Sequence, residues 1–564
     1  MFSRRRLSIT CDMRIEKSLR NKRIANELED HVPKMRNAAN MFEQFLILGA
    51  PPDFEDKPEP TILMSYPPGP SSSRLTDEIN LIKNFCFPVG FRPIPSDVNK
   101  VRVILNEFVF YLNEGSTRIF GTCLHFQAHQ NCVFSSSKSR KYPFCFCFLT
   151  LLPYLSSHFQ FLSYFSLLIN DRVRSIDHSV PGATPVIEEE KSPSLLASPI
   201  SGLIADEEFP NIAIFPGFKA TKQINDELTF YYNLPITTKT NIRNGLAVNN
   251  PFPPIPLSKK MDLYLPLHLS RQKCLAYSTF HALFSNIMIS DVVKIYSAIL
   301  LEMHVLFVSE FTHRLTTALI ASLSLLEPFK SIATMKLPIL PTHSEMMELL
   351  DSPTPYVIGS CIVNNNADVV VNLDTGKLTL NTKVPPIPNQ WKLLHKLQMI
   401  MNDSQKDYKI PPREIIDKKT GKKVKNDNYL EFITHTDPYN FPYVFTSLTE
   451  VKCIYPPYVI DQILDAFAKA FAPDLEDLIR GCFVTDSTDV FNPVTVCNKD
   501  LFMMSCPDAD RSFYESFLQT EIWEDFCDKL ADEFADFKKS MSMDFSQFID
   551  DEETEGPLSA PNGF

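Results

Sequence analysis

The chain has 564 residues, enough for two or more domains that each bury a sizeable core. Its 44% hydrophobic and 22% charged content is that of an ordinary globular protein, and its net charge of -12 argues against a body built to grip nucleic acid. Thirteen cysteines, an odd number without regular spacing, suit a reducing compartment rather than a disulfide framework. Arg4-Arg5-Arg6 leads into no apolar run, so we expect a cytosolic chain without a secretory leader.

Residues 1–40 mix arginine and lysine with Glu16, Glu27, Glu29 and Asp30. Two readings stay open there: a solvated, partly helical basic extension, or an electrostatic tether to a membrane surface. A first globular module is expected from Met41 to about Val173. Phe45-Leu46-Ile47-Leu48 predicts a strand, and Phe108–Leu112 with Ile119–Phe126 predicts a hairpin turned by Asn113-Glu114-Gly115. Pro143 to Asn170 lacks Asp, Glu, Lys and Arg and is long enough to span a bilayer. Pro153 divides it, however, and His158 and Gln160 sit near its centre. We therefore read a strand at Phe144–Leu151, a corner at Pro153 and a buried helix at Ser156–Leu168. Strands closed by a helix suit a small sheet with helices packed on it.

Arg174 to Asn211 turns to Pro, Ser, Ala and Glu188-Glu189-Glu190, the texture of a flexible linker. Ser192-Pro193 and Ser198-Pro199 are phosphorylation candidates of a kind common in linkers. A central module follows from Ile212 to about Asn402. Its expected elements are a helix at Ser290–Met303, a strand at Val305–Ser309, a helix at Thr312–Leu326 and a strand at Asp368–Leu373. The first strand is short, apolar and β-branched, as for a strand covered on both faces. The second helix carries Leu315, Leu319 and Leu323 at helical spacing and stops at Pro328, while Pro338, Pro341, Pro353 and Pro355 stiffen the corner beyond. Helix and strand in alternation predict α/β. A polar insert covers Asp403–Asn426. A third, mainly helical module is expected from Asp427 to about Lys539, with helices at Ile460–Phe471 and Phe513–Phe534, before an acidic, disordered tail from Ser540.

With 15 glycines, the chain has neither a GxGxxG nor a GxxxxGK[ST] loop to cradle phosphates, so any nucleotide chemistry is expected to belong to a partner. Leu373-Asp374-Thr375-Gly376 is similar to the loop of aspartic proteases. That chemistry needs two carboxylates sharing a proton, and the chain has one such loop. The plainer reading is a strand ending in a turn, with Asp374 bonding its own backbone. Cys123-x-His125-x3-His129-x2-Cys132 offers four zinc ligands within ten residues, but closed structural sites usually pair CxxC with a distant second half, so no metal site is expected. Cys145-x-Cys147, flanked by phenylalanines, reads as strand core. No GxSxG or HExxH signature is present, and no catalytic residue or cofactor is expected. Phe545-x-x-Phe548 in the acidic tail reads either as a docking motif for a trafficking adaptor or as part of a solvating tail.

Several phrases resemble one family in order. Tyr66-Pro67-Pro68-Gly69, Phe85-Cys86-Phe87-Pro88 with Gly90, Glu107-Phe108-Val109-Phe110 and Arg118-Ile119-Phe120-Gly121 are similar to the upstream block of the DENN family. Leu300-Leu301-Glu302 into Val305–Ser309, Pro328-Phe329, Leu337–Pro341 and Pro353–Gly359 resemble its central block. Ser512-Phe513-Tyr514 and Phe517–Thr520 with Phe526 resemble its downstream block, although Thr520-Glu521-Ile522-Trp523 stands where the family often has Thr-Gln.

The resemblance implies a longin-like N-terminal module, a central α/β module and a mainly helical downstream module, α+β as a whole. It implies a guanine-nucleotide exchange factor for a Rab-type small GTPase in membrane trafficking, without covalent chemistry or a cofactor. The alternative is a scaffold or effector of the same fold that binds a GTPase or trafficking complex without exchange. In the family the GTPase sits between the longin-like and central modules. Binding loops of α/β sheets cluster beyond the carboxyl ends of strands. The candidate contacts are therefore Ser309, Glu310, His313 and Arg314 after one strand, Asp374 and Thr375 after another, and Thr354 and Tyr356 at the proline corner.

Overall fold

A computed structural model of the chain describes residues 40–51, 58–67, 75–93, 104–114, 117–127, 142–162, 164–166, 213–215, 218–219, 222–234, 254–258, 261–264, 270–331, 334–342, 345–364, 366–408, 414–416, 423–425, 457–486 and 494–534. The basic extension up to residue 39, the 174–211 linker, the turn residue Gly115, His129, Cys132 and the acidic tail with Phe545 and Phe548 lie outside the described residues.

The first sheet contains β1 (Gln44–Gly49), β2 (Thr61–Tyr66), β3 (Ile104–Glu114), β4 (Thr117–Gln127) and β5 (Phe144–Thr150). It is antiparallel throughout, in the order β2-β1-β5-β4-β3. β1 and β5 are buried at every position, because helices cover both faces of the sheet's middle. The two-residue period still sorts β5: Phe144, Phe146 and Phe148 leave one face, Cys145 and Cys147 the other. α1 (Leu75–Cys86) covers the cysteine face, with Phe85 stacked on Phe110 at 5.1 Å.

A second helix, α2 (155–162 and 164–166), covers the phenylalanine face with α3 (Lys222–Tyr232) beside it. Phe161 of α2 stacks on Tyr231 of α3 at 4.1 Å. The Tyr231 hydroxyl lies 2.7 Å from His158 Nδ1, and burial holds His158 down at about 3, so the ring is a neutral core group. The charge-free stretch after Pro143 is thus a strand, a corner and a packed helix. Among the described residues, no helix is long and apolar enough to cross a membrane.

Two small ribbons follow, β6 (Ala213–Phe215) with β7 (Phe218–Lys219) and β8 (Pro254–Ser258) with β9 (Met261–Tyr264). α4 (Arg271–Asn286) is capped by Ser270, whose hydroxyl accepts from Lys273 N at 3.2 Å. α5 (Ile289–Leu300) leads into β10 (Val305–Val308), α6 (Thr312–Ser324), β11 (Met335–Leu337), β12 (Tyr356–Ser360), β13 (Val369–Asn372) and β14 (Lys377–Leu380). The second sheet runs β11-β12-β10-β13-β14, parallel except for β14 at its edge. Gly359 permits the proline corner to lie against β12: a Cβ there would meet Pro338 O at 2.2 Å, and Leu340 N donates to Gly359 O at 2.7 Å.

α6 joins the two sheets. β3 is an edge strand, and its Val109 N–H, facing away from β4, donates to Thr316 Oγ1 at 3.3 Å. Asn106 Nδ2 donates to Thr312 Oγ1 at 2.8 Å. Val109, Tyr111, Phe120, Leu155, Leu275 and Ile320 pack into one apolar cluster at this seam. A helix therefore satisfies the edge that would otherwise invite pairing.

The remaining elements are α7 (Gln390–Tyr408), the ribbon of β15 (Glu414–Ile416) and β16 (Lys423–Lys425), α8 (Pro457–Ala468), α9 (Ala472–Gly481), the ribbon of β17 (Phe483–Asp486) and β18 (Val494–Cys497), α10 (Lys499–Ser505), α11 (Arg511–Phe517) and α12 (521–534). Two expectations change here. α7 continues past Asp403 into the stretch read as a polar insert, which also holds a strand pair. The single helix expected at Phe513–Phe534 is two, because Thr520 Oγ1 accepts from Trp523 N at 3.1 Å and donates to Phe517 O at 2.7 Å, ending one helix and capping the next. Phe329 stacks on Phe471 at 5.3 Å and tilts on Phe526 at 4.9 Å, tying the central sheet to these helices.

Candidate functional site

Because β10, β12 and β13 are parallel and in register, Val308 lies beside Ser360 on one side and Asn372 on the other. The three chains that leave these strands therefore emerge together at the carboxyl edge of the sheet. After β10 comes Ser309-Glu310-Phe311, after β12 Cys361-Ile362-Val363, and after β13 Leu373-Asp374-Thr375-Gly376.

Asp374 organises the edge. Its Oδ1 accepts from Ser309 Oγ at 2.7 Å and from Arg314 Nη1 at 2.6 Å, and its Oδ2 accepts from Glu310 N at 2.8 Å. The turn beneath it is made by Asn372, whose Oδ1 accepts from Asp374 N at 3.1 Å and from Thr375 N at 2.9 Å. Gly376, at φ +68°, closes the turn into β14. The backbone-bonding residue is thus Asn372 rather than Asp374, since the Asp374 carboxylate is directed across to the neighbouring loop. Ser309 and Thr312 do not cap α6 with their side chains: Ser309 Oγ accepts from Phe311 N at 3.0 Å, and Thr312 bonds Asn106.

Ser309, Glu310, Arg314, Asp374 and Thr375 are thereby brought into one constellation. His313 points from α6 toward the first sheet, with Nδ1 3.9 Å from Glu107 Oε2 and its ring 5.8 Å from that of His281. Thr354 and Tyr356 lie at the opposite, amino edge of the sheet. Thr354 is exposed, with its N–H donating to Ser352 Oγ at 3.2 Å. Tyr356 is 1% exposed and donates its hydroxyl to Leu350 O at 3.1 Å, so it presents no side-chain surface to solvent.

Three apolar side chains that the sequence pattern did not single out stand on the carboxyl edge. Phe311 is 43% exposed, Ile362 47% and Val363 53%. Arg314 lies over the Phe311 ring at 4.9 Å from its centroid, which steadies the ring from one side. A signal was present: Cys361-Ile362-Val363 runs straight into Asn364-Asn365-Asn366, an apolar pair held in a loop rather than a strand.

The Asp374 oxygens are already engaged by three donors, and one carboxylate without a second is no proteolytic centre. What the arrangement does is hold two loops in fixed relation while exposing Glu310, Phe311, Ile362, Val363 and Thr375. The edge borders the first module on one flank, through Asn106 and Glu107. A second tie runs from the proline corner, where Thr342 N and Oγ1 donate to Pro88 O at 2.8 and 3.1 Å.

Residues 60–126 match the uDENN domain, and residues 234–376 match the DENN (AEX-3) domain. The first match runs from the start of β2 to the end of β4. The second takes in α4 to α6 and β10 to β13, and both halves of the Asp374 clamp fall inside it.

Proposed function

Since the chain belongs to the DENN domain family, with an upstream and a central domain matched in order, we propose that it promotes GDP release from a Rab-type small GTPase in membrane trafficking. The observation that carries this reading is the carboxyl edge of the central sheet. There an exposed apolar trio, Phe311, Ile362 and Val363, is set among Glu310 and Thr375 on loops pinned by Asp374. Interfaces of this kind draw their energy from a few exposed apolar and aromatic anchors ringed by polar groups.

Exchange needs no covalent step. The factor binds the nucleotide-free GTPase more tightly than the GDP form, so part of its binding energy is realised only when the GTPase segments around nucleotide and Mg²⁺ have moved away. A pinned edge suits that task, because rigid loops can hold a displaced switch segment, whereas slack loops would follow it back. The Asp374 clamp supplies the rigidity; Glu310, Phe311, Ile362 and Val363 supply the contact. GTP then rebinds from solution and displaces the factor.

Release of fluorescent GDP from a panel of Rab GTPases, with and without the purified chain, tests this. Acceleration on one or two members is the expected result. A flat panel accompanied by stable binding to a GTP-loaded member would replace exchange with the scaffold reading.

A further inference from the structure

Four cysteines converge inside the first module, on the sheet face away from the phenylalanines. Cys145 and Cys147 are two apart on β5 and leave the same face. The β4–β5 register sets Cys123 directly opposite Cys147, and His125 opposite Cys145. Cys86, the last residue of α1, closes over them with its Sγ 3.8 Å from Cys123 Sγ. The sulfurs of Cys86, Cys123 and Cys145 all lie within 4.8 Å of one another. Cys147, opposite Cys123 in the β4–β5 register and on the same face as Cys145, is the fourth thiol of that face. All four side chains are fully buried, and all four are free thiols.

We propose that Cys86, Cys123, Cys145 and Cys147 form a closed, structural zinc site that pins the end of α1 to β4 and β5. The dimensions suit it. Zinc with four sulfurs at about 2.3 Å holds them about 3.8 Å apart, the spacing already present between Cys86 and Cys123. Cys145 lies within 4.8 Å of both, and a turn of the Cys147 side chain about χ1 is required to bring in the fourth sulfur. A site made only of thiolates, sealed from water, selects a soft, redox-silent tetrahedral ion over oxygen-seeking cations.

The surroundings supply an outer layer as well. His125 Nε2 lies 2.6 Å from Cys86 O, so the ring donates to that carbonyl and orients the Cys86 backbone. Zinc binding forms four Zn–S bonds and sends four protons to solvent. Pro88, two residues beyond Cys86, accepts both hydrogen bonds from Thr342, so the site underlies a joint between the first sheet and the proline corner.

The test uses the full chain, purified without chelator from cells grown with zinc. Elemental analysis is expected to find one zinc per chain. Cobalt exchanged into it is expected to show the intense visible bands of a tetrahedral cobalt–thiolate centre. Cys86→Ser and Cys145→Ser are each expected to lose that zinc, whereas Cys497→Ser, on the remote β18, is expected to keep it. Should the serine variants fail to fold, the wild-type cobalt spectrum still decides. A folded wild-type chain that takes up no zinc and gives no cobalt–thiolate bands would overturn the proposal. So would iron–sulfur colour, an intact mass two hydrogens light from a disulfide, or zinc retained by folded Cys86→Ser and Cys145→Ser.

Discussion

The two ends of the parallel sheet use the same device for opposite purposes. At the carboxyl end, Asp374 accepts from Ser309, Arg314 and Glu310 N. At the amino end, Asp368 accepts from His304 N at 2.9 Å, from the His304 ring at 3.0 Å and from Thr382 Oγ1 at 2.6 Å. Each aspartate joins β13 to the chain beside β10. Around Asp368, however, the neighbouring rings pack inward: His304 meets Tyr356 edge-on at 4.7 Å, and Tyr356 is buried. Around Asp374 the neighbours turn outward, as Phe311, Ile362 and Val363. The two clamps therefore differ in what they display, buried rings at one end and exposed apolar side chains at the other.

The comparison breaks most severely at Tyr356. Tyr356→Ala is expected to cost about 3–5 kcal/mol, the range for emptying a buried aromatic site, and to show as a large fall in denaturation midpoint. Tyr356→Phe removes only the hydrogen bond to Leu350 O and is expected to cost about 1 kcal/mol. At the other end, Phe311→Asp combined with Ile362→Asp is expected to lower exchange at least tenfold, about 1.4 kcal/mol, while leaving the thermal midpoint nearly unchanged.

Asp368→Asn sharpens the contrast by pH. Burial works to raise this carboxyl, but the hydrogen bonds from Thr382 and His304 outweigh it and hold Asp368 below its ordinary 3.8. A carboxyl lowered by folding adds stability that is full above the unfolded value and is lost as pH falls through the lower folded one. Urea midpoints of the wild-type chain are accordingly expected to drop on acidification below about pH 4, and Asp368→Asn to flatten that limb at a cost of about 1 kcal/mol at neutral pH. An acid limb unchanged in the variant would remove Asp368 from the account. The smallest effect is expected from Thr375→Ala, which removes an exposed hydroxyl and leaves the Thr375 N–H to Asn372 intact; stability should move by less than about 0.5 kcal/mol.

Two of the five strands of the central sheet were legible because they are short and covered on both faces: Val305–Ser309 was expected and Val305–Val308 is found, and Asp368–Leu373 was expected and Val369–Asn372 is found. The strand, corner and helix after Pro143 were legible for the converse reason, since a proline and central polar groups excluded a span. The break at residues 518–520 was not, because a run of aromatics at helical spacing hides the threonine that caps the second helix. At the carboxyl edge, the rule that loops gather beyond strand ends placed Ser309, Glu310, Arg314, Asp374 and Thr375 near one another. It could not separate the residues that build the edge from those that face out of it. Tyr356 looked accessible beside prolines, but β12 starts there and takes its side chain into the core. The thiol cluster was the least visible. Its members stand at 86, 123, 145 and 147; the antiparallel register of β4 and β5 sets three on one face and the end of α1 adds Cys86, whereas linear spacing grouped Cys123 and His125 with His129 and Cys132, a set from which no metal site was expected.

The most direct measurement is GDP release from the responsive Rab GTPase, comparing the wild-type chain with the Phe311→Asp and Ile362→Asp double variant at the carboxyl edge and with Thr354→Ala at the amino edge. Loss of acceleration in the double variant, with wild-type rates for Thr354→Ala and unchanged melting for both, is the expected result. Full acceleration by a folded double variant would contradict the assignment of the carboxyl edge as the surface that opens the GTPase.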